Sequence, residues 1–126
     1  KMGDPNLSNI VLNLQKAAEE NDYDKARELF HTEIEVWNGD GSIIKGLDAL
    51  DEGFRDFIEN YKIDITPQVW MSIYSKKLDE NWVLLWNYEE YKAPDDSIRK
   101  LFAQESFRIK DDKIIRVNQF QRDLVE

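Results

Sequence analysis

The chain has 126 residues, 41% of them hydrophobic and 12% aromatic, which sets the expectation of one folded domain able to bury its own core. Its net charge of −9, with Lys and Arg never clustered beyond isolated pairs, argues against binding the phosphate backbone of nucleic acids. The absence of cysteine excludes disulfides, thiolate metal sites and thiol catalysis, and no apolar run approaches the length of a membrane helix. The opening Lys1-Met2-Gly3 reads as a trimmed or tagged N-terminus, compatible with a cytoplasmic protein or with an exported one whose signal has been removed.

Asp4-Pro5 predicts a helix start, a capping side chain followed by proline at the first helical position. Leu7, Ile10, Val11, Leu14, Ala17 and Ala18 keep helical spacing, so the first helix is expected to run to about Glu20. Asn21-Asp22 ends it and caps a second helix, with Tyr23, Ala26, Leu29 and Phe30 on one face. His31, the only histidine, falls at the end of that helix, a position suited to binding terminal carbonyls. Residues 33–38 alternate as a strand with Ile34, Val36 and Asn38 on one side. Gly39-Asp40-Gly41 is a turn, and Ser42 to Lys45 returns as a short partner strand. A third helix follows Gly46 and carries Leu47, Leu50, Phe54, Phe57, Ile58 and Tyr61 at helical spacing.

From Lys62 the period changes to two. Residues 62–75 form a long strand in which Pro67 marks a bulge or an edge. Residues 82–92 form a central strand, and residues 101–123 form a hairpin turning at Lys110-Asp111-Asp112-Lys113. Helices segregated from a run of strands indicate an α+β domain, its sheet curling over three helices and enclosing a hollow.

Glu105 is the most informative residue. It shares a face with Leu101, Ala103, Phe107 and Ile109, and a buried carboxylate must find partners or shift its pKa. Three readings stand beside one another: a structural carboxylate bonded to Gln119, Asn38 or backbone, a ligand hydrogen-bonding group, or a proton-transfer group. A three-residue turn with Asp112 left-handed would bring Ile115, Val117, Gln119 and Gln121 onto the Glu105 face. An even loop at 93–97 sets Trp86 opposite Glu105 as a pocket wall, whereas an odd one sets Leu85 or Asn87 there. The acidic pairs, including Glu89-Glu90, read as solvated faces, too scattered for a metal cage. Ser75 and Ser106 lack a nearby histidine base, and no glycine-rich phosphate loop is present.

The order of elements, the segment LFHTEIEVWNGDG, the helix opening KGLDAL and the segment ESFRIKDDKIIRV resemble the nuclear-transport-factor-2-like (NTF2-like) superfamily, in its SnoaL-like polyketide-cyclase and ketosteroid-isomerase branch. The resemblance covers nearly the whole chain. It implies a cone-shaped α+β fold, three N-terminal helices packed on a curved, mostly antiparallel sheet. It also implies how the site departs from the isomerases. Asn38 stands where they carry an aspartate general base, and Leu14 stands where a tyrosine donates into the oxyanion hole. Glu105 matches their second, protonated carboxyl, within Glu105-Ser106-Phe107-Arg108-Ile109. The downstream H-W-D-like segment of the cyclases is replaced by Val117-Asn118-Gln119. Ketosteroid isomerase activity is therefore not expected.

The resulting expectation is a pocket for a small, largely apolar molecule, with no cofactor and no metal. Glu105, Asn38 and Gln119 would orient the ligand, Leu14, Phe54 and Trp86 would form apolar walls, and Gln121 would stand near the mouth. The alternatives are a cyclase-, isomerase- or hydrolase-like enzyme using Glu105 as general acid or base, and a non-catalytic dimerisation module with an occluded pocket. A homodimer is expected through the outward sheet face, built from Trp70, Tyr74, Phe102 and Phe120 with Gln104, Arg108 and Arg116 as a polar rim; the alternative is that Pro67 shifts the strand's parity and returns Trp70 and Tyr74 to the core.

Overall fold

The computed structural model describes residues 1–124. A short 3-10 turn, Pro5–Leu7, leads into α1 (Ser8–Glu19), and α2 (Tyr23–Arg27) follows. Then come β1 (Phe30–Trp37), β2 (Ile43–Lys45), α3 (Leu47–Asn60), β3 (Lys62–Ser75), β4 (Glu80–Lys92), β5 (Ile98–Lys110) and β6 (Lys113–Asp123). The six strands form one sheet in the order β2-β1-β6-β5-β4-β3. Every neighbouring pair is antiparallel except β1 and β6, which run parallel. This is a cone-shaped α+β architecture with the helices on the concave face of the sheet.

Local chemistry explains most boundaries. Asp4 accepts a hydrogen bond from the Asn6 N–H at 3.0 Å and starts the first turn. Asn21 takes φ of 58° to end α1, and its amide donates to the carbonyls of Ile58 and Tyr61, tying that corner to the end of α3. Asp22 caps α2 by accepting from the Lys25 N–H. The second helix is shorter than its apolar spacing predicts. Phe30 opens β1 instead of closing α2, because it pairs beside Ile114 and buries there. His31 accordingly lies in a strand, where Nδ1 accepts from the Glu33 N–H rather than binding helix-end carbonyls.

α3 is held to α2 by charge. Tyr23 donates to Asp51, and Arg27 Nε reaches both Asp51 oxygens at 3.0 and 3.1 Å. The Arg27 hydrogen bond lowers the Asp51 pKa, while burial raises that of Tyr23.

Two irregularities set the side-chain faces. Past Pro67 the register slips by one, from Pro67 opposite Asn87 to Val69 opposite Trp86. Trp70 therefore shares a face with buried Leu85, and Tyr74 with Asn81. Both aromatics turn toward the helix side, not to the outward face where uninterrupted alternation would put them. The β5–β6 turn is two residues long rather than three. Asp111 and Asp112 both adopt positive φ, 54° and 59°, and Lys110 pairs with Lys113. A bulge then moves the register from Ile109 opposite Ile114 to Arg108 opposite Arg116. Ile114, expected on the outer face, is buried in the core, while Val117, Gln119 and Gln121 still come to the Glu105 side.

Candidate functional site

The strand β4 alternates Val83, Leu85, Asn87, Glu89 and Tyr91 toward the helices. On β5 the same face holds Leu101, Ala103, Glu105, Phe107 and Ile109. Five residues separate the paired Lys92 and Ile98, an odd number, so Leu85 stands directly opposite Glu105. Asn87 is one step along, opposite Ala103, whose small side chain leaves room for a diagonal contact. Trp86, expected as a pocket wall, faces outward and is 46% exposed; the odd loop reverses its parity.

Between this face, α1 and α3 lies a cavity of about 940 Å³. Leu14, Leu50, Phe54, Phe57, Ile63, Val117 and Tyr91 supply its apolar walls, and Glu105, Glu89, Gln15, Asn38 and Gln119 its polar groups. Its rim includes the exposed residues Glu52, Gly53, Ser97, Ile98, Arg99 and Gln121. One end is aromatic: Phe57 meets Tyr91 edge-on at 4.9 Å, with Phe54 stacked beyond it at 6.2 Å.

The polar end is a connected chain. Gln15 Nε2 donates to Asn87 Oδ1 at 3.1 Å, and Asn87 Nδ2 donates to Glu105 Oε1 at 2.8 Å. Asn87 is wholly buried and Gln15 nearly so. Glu105 is half-buried, its remaining surface opening into the cavity. On the same face of β4, Glu89 is 9% exposed and accepts from the Tyr91 hydroxyl. It is no solvated surface carboxylate; its partner Glu90 is the residue that faces away. Gln119 pairs directly opposite Glu105, yet its amide oxygen accepts from Gln121 Nε2 at 3.2 Å. Asn38 lines the cavity while its amide donates to Ser42 Oγ at 3.1 Å, so it serves the β1–β2 turn as well.

Two carboxyls turned toward one enclosed space from adjacent strands cannot both ionise cheaply. Burial, reinforced by the Glu89 charge, pushes Glu105 up to about 8 against the opposing hydrogen bond from Asn87. Burial raises Glu89 as well, but there Tyr91, Asn87 and the charge of Arg99 all oppose it. The better-supported anion is Glu89, so Glu105 is the member of the pair that keeps its proton to higher pH. Burial, with Glu89 beside it, raises Tyr91 far above its usual range, which keeps the hydroxyl a donor. Arg99 is anchored at the rim by Asp123 at 2.7 Å. Two carboxyls of unequal acidity thus share one cavity wall. Among the described residues no group of three or more His, Asp or Glu side chains converges to hold a metal ion.

Neither a family model nor a curated protein sequence matches this chain. Solved structures do. The Δ5-3-ketosteroid isomerase from Mycobacterium sp. superposes with a TM-score of 0.74 at 15% identity, over 94% of this chain and 98% of that one. SalBIII, an epoxide hydrolase/cyclase-like enzyme of pyran ring formation in the polyether salinomycin, gives 0.77 at 18% identity, over 93% and 91%. A SnoaL-like polyketide cyclase from Jannaschia sp. CCS1 gives 0.69 at 11% identity, over 91% and 84%. At such identities the likeness concerns backbone architecture, and on that ground the chain has the NTF2-like fold.

Proposed function

We propose that this protein binds a small, largely apolar molecule in the cavity under α1 and α3, with the ligand's polar group held at Glu105. The observation that carries this reading is the carboxyl at the wall of a 940 Å³ hollow whose other walls are mainly aliphatic and aromatic. Ligand pockets span roughly 300–1,000 Å³ and combine apolar walls with a few fixed polar groups. A protonated Glu105 offers a hydrogen bond to a carbonyl, ether or similar oxygen, with Gln119 beside it and Asn38 further along. The exposed rim favours this reading over an occluded dimerisation module. Native mass spectrometry of the protein purified without denaturant tests it. The expected result is a retained small molecule that Glu105→Ala releases. A bare polypeptide mass from every expression host would count against it.

A second reading rests on Glu89. Two carboxyls whose surroundings separate their protonation states are the arrangement general acid–base chemistry uses. Glu105 would give a proton to an oxygen of the bound molecule while Glu89, ionised beside it, takes one or steadies positive charge. The structural neighbours that act as cyclase, isomerase or epoxide hydrolase make a reaction of one of those types the natural choice. The test is turnover: Glu105→Gln and Glu89→Gln should each abolish it without displacing the ligand.

We also propose that the outward face of the sheet joins two copies of the chain. Trp37, Val69, Met71, Trp86, Tyr88 and Phe120 are all more than a third exposed, with Leu84 and Phe102 between them. Arg108 and Arg116 pair across strands at one side, where Arg116 lies 4.0 Å over the Trp37 ring.

A further inference from the structure

We propose that Gln15 is a positioning residue for the cavity carboxyl: by donating to Asn87 Oδ1 it turns the Asn87 amide so that its N–H faces Glu105 Oε1, leaving Oε2 to meet the bound molecule. The inference rests on the reading of Glu105 as the ligand-orienting group. Its basis is the geometry of two amides. A primary amide has a donating and an accepting end, and whichever end faces one neighbour dictates what faces the other. Asn87 sits between Gln15 on α1 and Glu105 on β5, at 3.1 and 2.8 Å. With Gln15 Nε2 directed at Oδ1, the Asn87 N–H end is left facing the carboxyls, bonding Glu105 Oε1 and helping to hold Glu89 as an anion.

That direction matters chemically. Glu105 Oε1 is occupied as an acceptor, so a proton on this carboxyl has to reside on Oε2 and becomes a donor into the cavity. If Asn87 turned over, its Oδ1 would accept the Glu105 proton and withdraw it from the cavity. Both amides are buried, and a buried polar group left unpaired is costly. Gln15 follows Leu14, a cavity wall, on the same helix. It acts on the ligand's partner through Asn87, at one remove.

The test reads the Glu105 carboxyl in the free protein by carbon-13 NMR titration of labelled glutamate side chains, its resonance assigned by its loss in Glu105→Gln. Gln15→Met removes the donor while keeping chain length and most of the volume. Asn87 is then free to turn and accept from the neutral acid. The Glu105 midpoint is expected to rise by about one pH unit, a tenfold change in the protonation equilibrium. Gln15→Glu, whose ionised carboxylate accepts from Asn87 Nδ2, should raise it further. A folded Gln15→Met protein whose midpoint stays within about 0.3 unit of the parent overturns the proposal and leaves Gln15 a core contact only.

Should both variants fail to fold, the parent protein still decides. Its Asn87 side-chain amide protons should shift with the Glu105 titration, and the opposite amide orientation, or no response, refutes the inference. No ligand enters these measurements. A purified protein with no retained molecule but a displaced midpoint would count against the ligand reading alone, and an unmoved midpoint with ligand retained against Gln15 alone.

Discussion

Asn87 on β4 donates to Glu105 on β5 across 2.8 Å, although the two residues are not opposite one another in the strand register. The contact is diagonal, made possible by Ala103, and it joins the one neutral acid of the cavity wall to the interior amide that supports it.

The first prediction concerns pH. Glu105 has a folded-state pKa raised from 4.5 to about 8, so between those values the folded protein holds a proton the unfolded chain has released. Stability therefore falls as pH rises through that window. Glu105→Gln stays neutral and loses the slope. Relative to the parent it should gain about 1–3 kcal/mol between pH 5 and pH 8, measured by urea unfolding at both values. Parallel pH profiles would contradict the assignment.

Asn87→Asp would bring a third carboxyl against Glu105 and Glu89. At neutral pH the variant should be destabilised by about 2–4 kcal/mol, since a buried charge without a partner is among the costliest of substitutions. The deficit should shrink as the solution is acidified from neutral toward about pH 4, because burial beside two other carboxyls raises the new group's pKa as it raises theirs. Thermal melts across pH distinguish this from a loss of packing, which acid would not repair.

Gly53 lies in the interior of α3 at the cavity rim, and a Cβ built there meets nothing within 4 Å. Gly53→Ala should stabilise the protein by about 1 kcal/mol through helix propensity alone. Gly53→Leu keeps most of that gain while narrowing the rim. Mass spectrometry should then find the protein folded and its retained molecule lost.

The proposed pairing of sheet faces predicts a particle of twice 15.0 kDa by light scattering at micromolar concentration. Trp86→Glu, at the middle of the exposed face, should return it to 15.0 kDa with its melting temperature little changed. A monomeric parent would retire the interface.

Turnover of a β,γ-unsaturated ketosteroid should be negligible. Asn38 cannot take up a proton as a base and Leu14 cannot donate, and losing a positioned base forfeits roughly 10²–10⁴ in rate. A spectrophotometric assay of the conjugated product checks this.

The sequence made the fold legible because its periodicities are clean. The long strand at 62–75 has the observed bounds, and Glu105 stands out among apolar neighbours in the sequence alone. The rest of the site hinged on parity. One residue more or less in the 93–97 loop exchanges Trp86 for Asn87 and Glu89, and sequence alone left that count open. Reading β4 forward from buried Val83 flags Glu89, since it lies six residues along on the same face. Gln15 had no signal at all: a glutamine beside Leu14 reads as the polar flank of an amphipathic helix until the sheet beneath it is known. Two local irregularities altered which aromatics and isoleucines face inward: Pro67 marks the first, whereas the one near Ile115 has no proline or glycine to signal it.

The parallel pairing of β1 with β6 sets Val36 beside Val117, joining segments about 80 residues apart in the chain. A polypeptide emerging from the ribosome makes β1 early and must wait for its last strand before that seam can close. Until then the wall carrying Val36 and Asn38 has no neighbour, and Glu105 faces water from an open sheet edge. The hollow and its displaced carboxyl equilibrium are thus late products of biosynthesis, and a chain stopped short of β6 would have helices and hairpins without the chamber they surround.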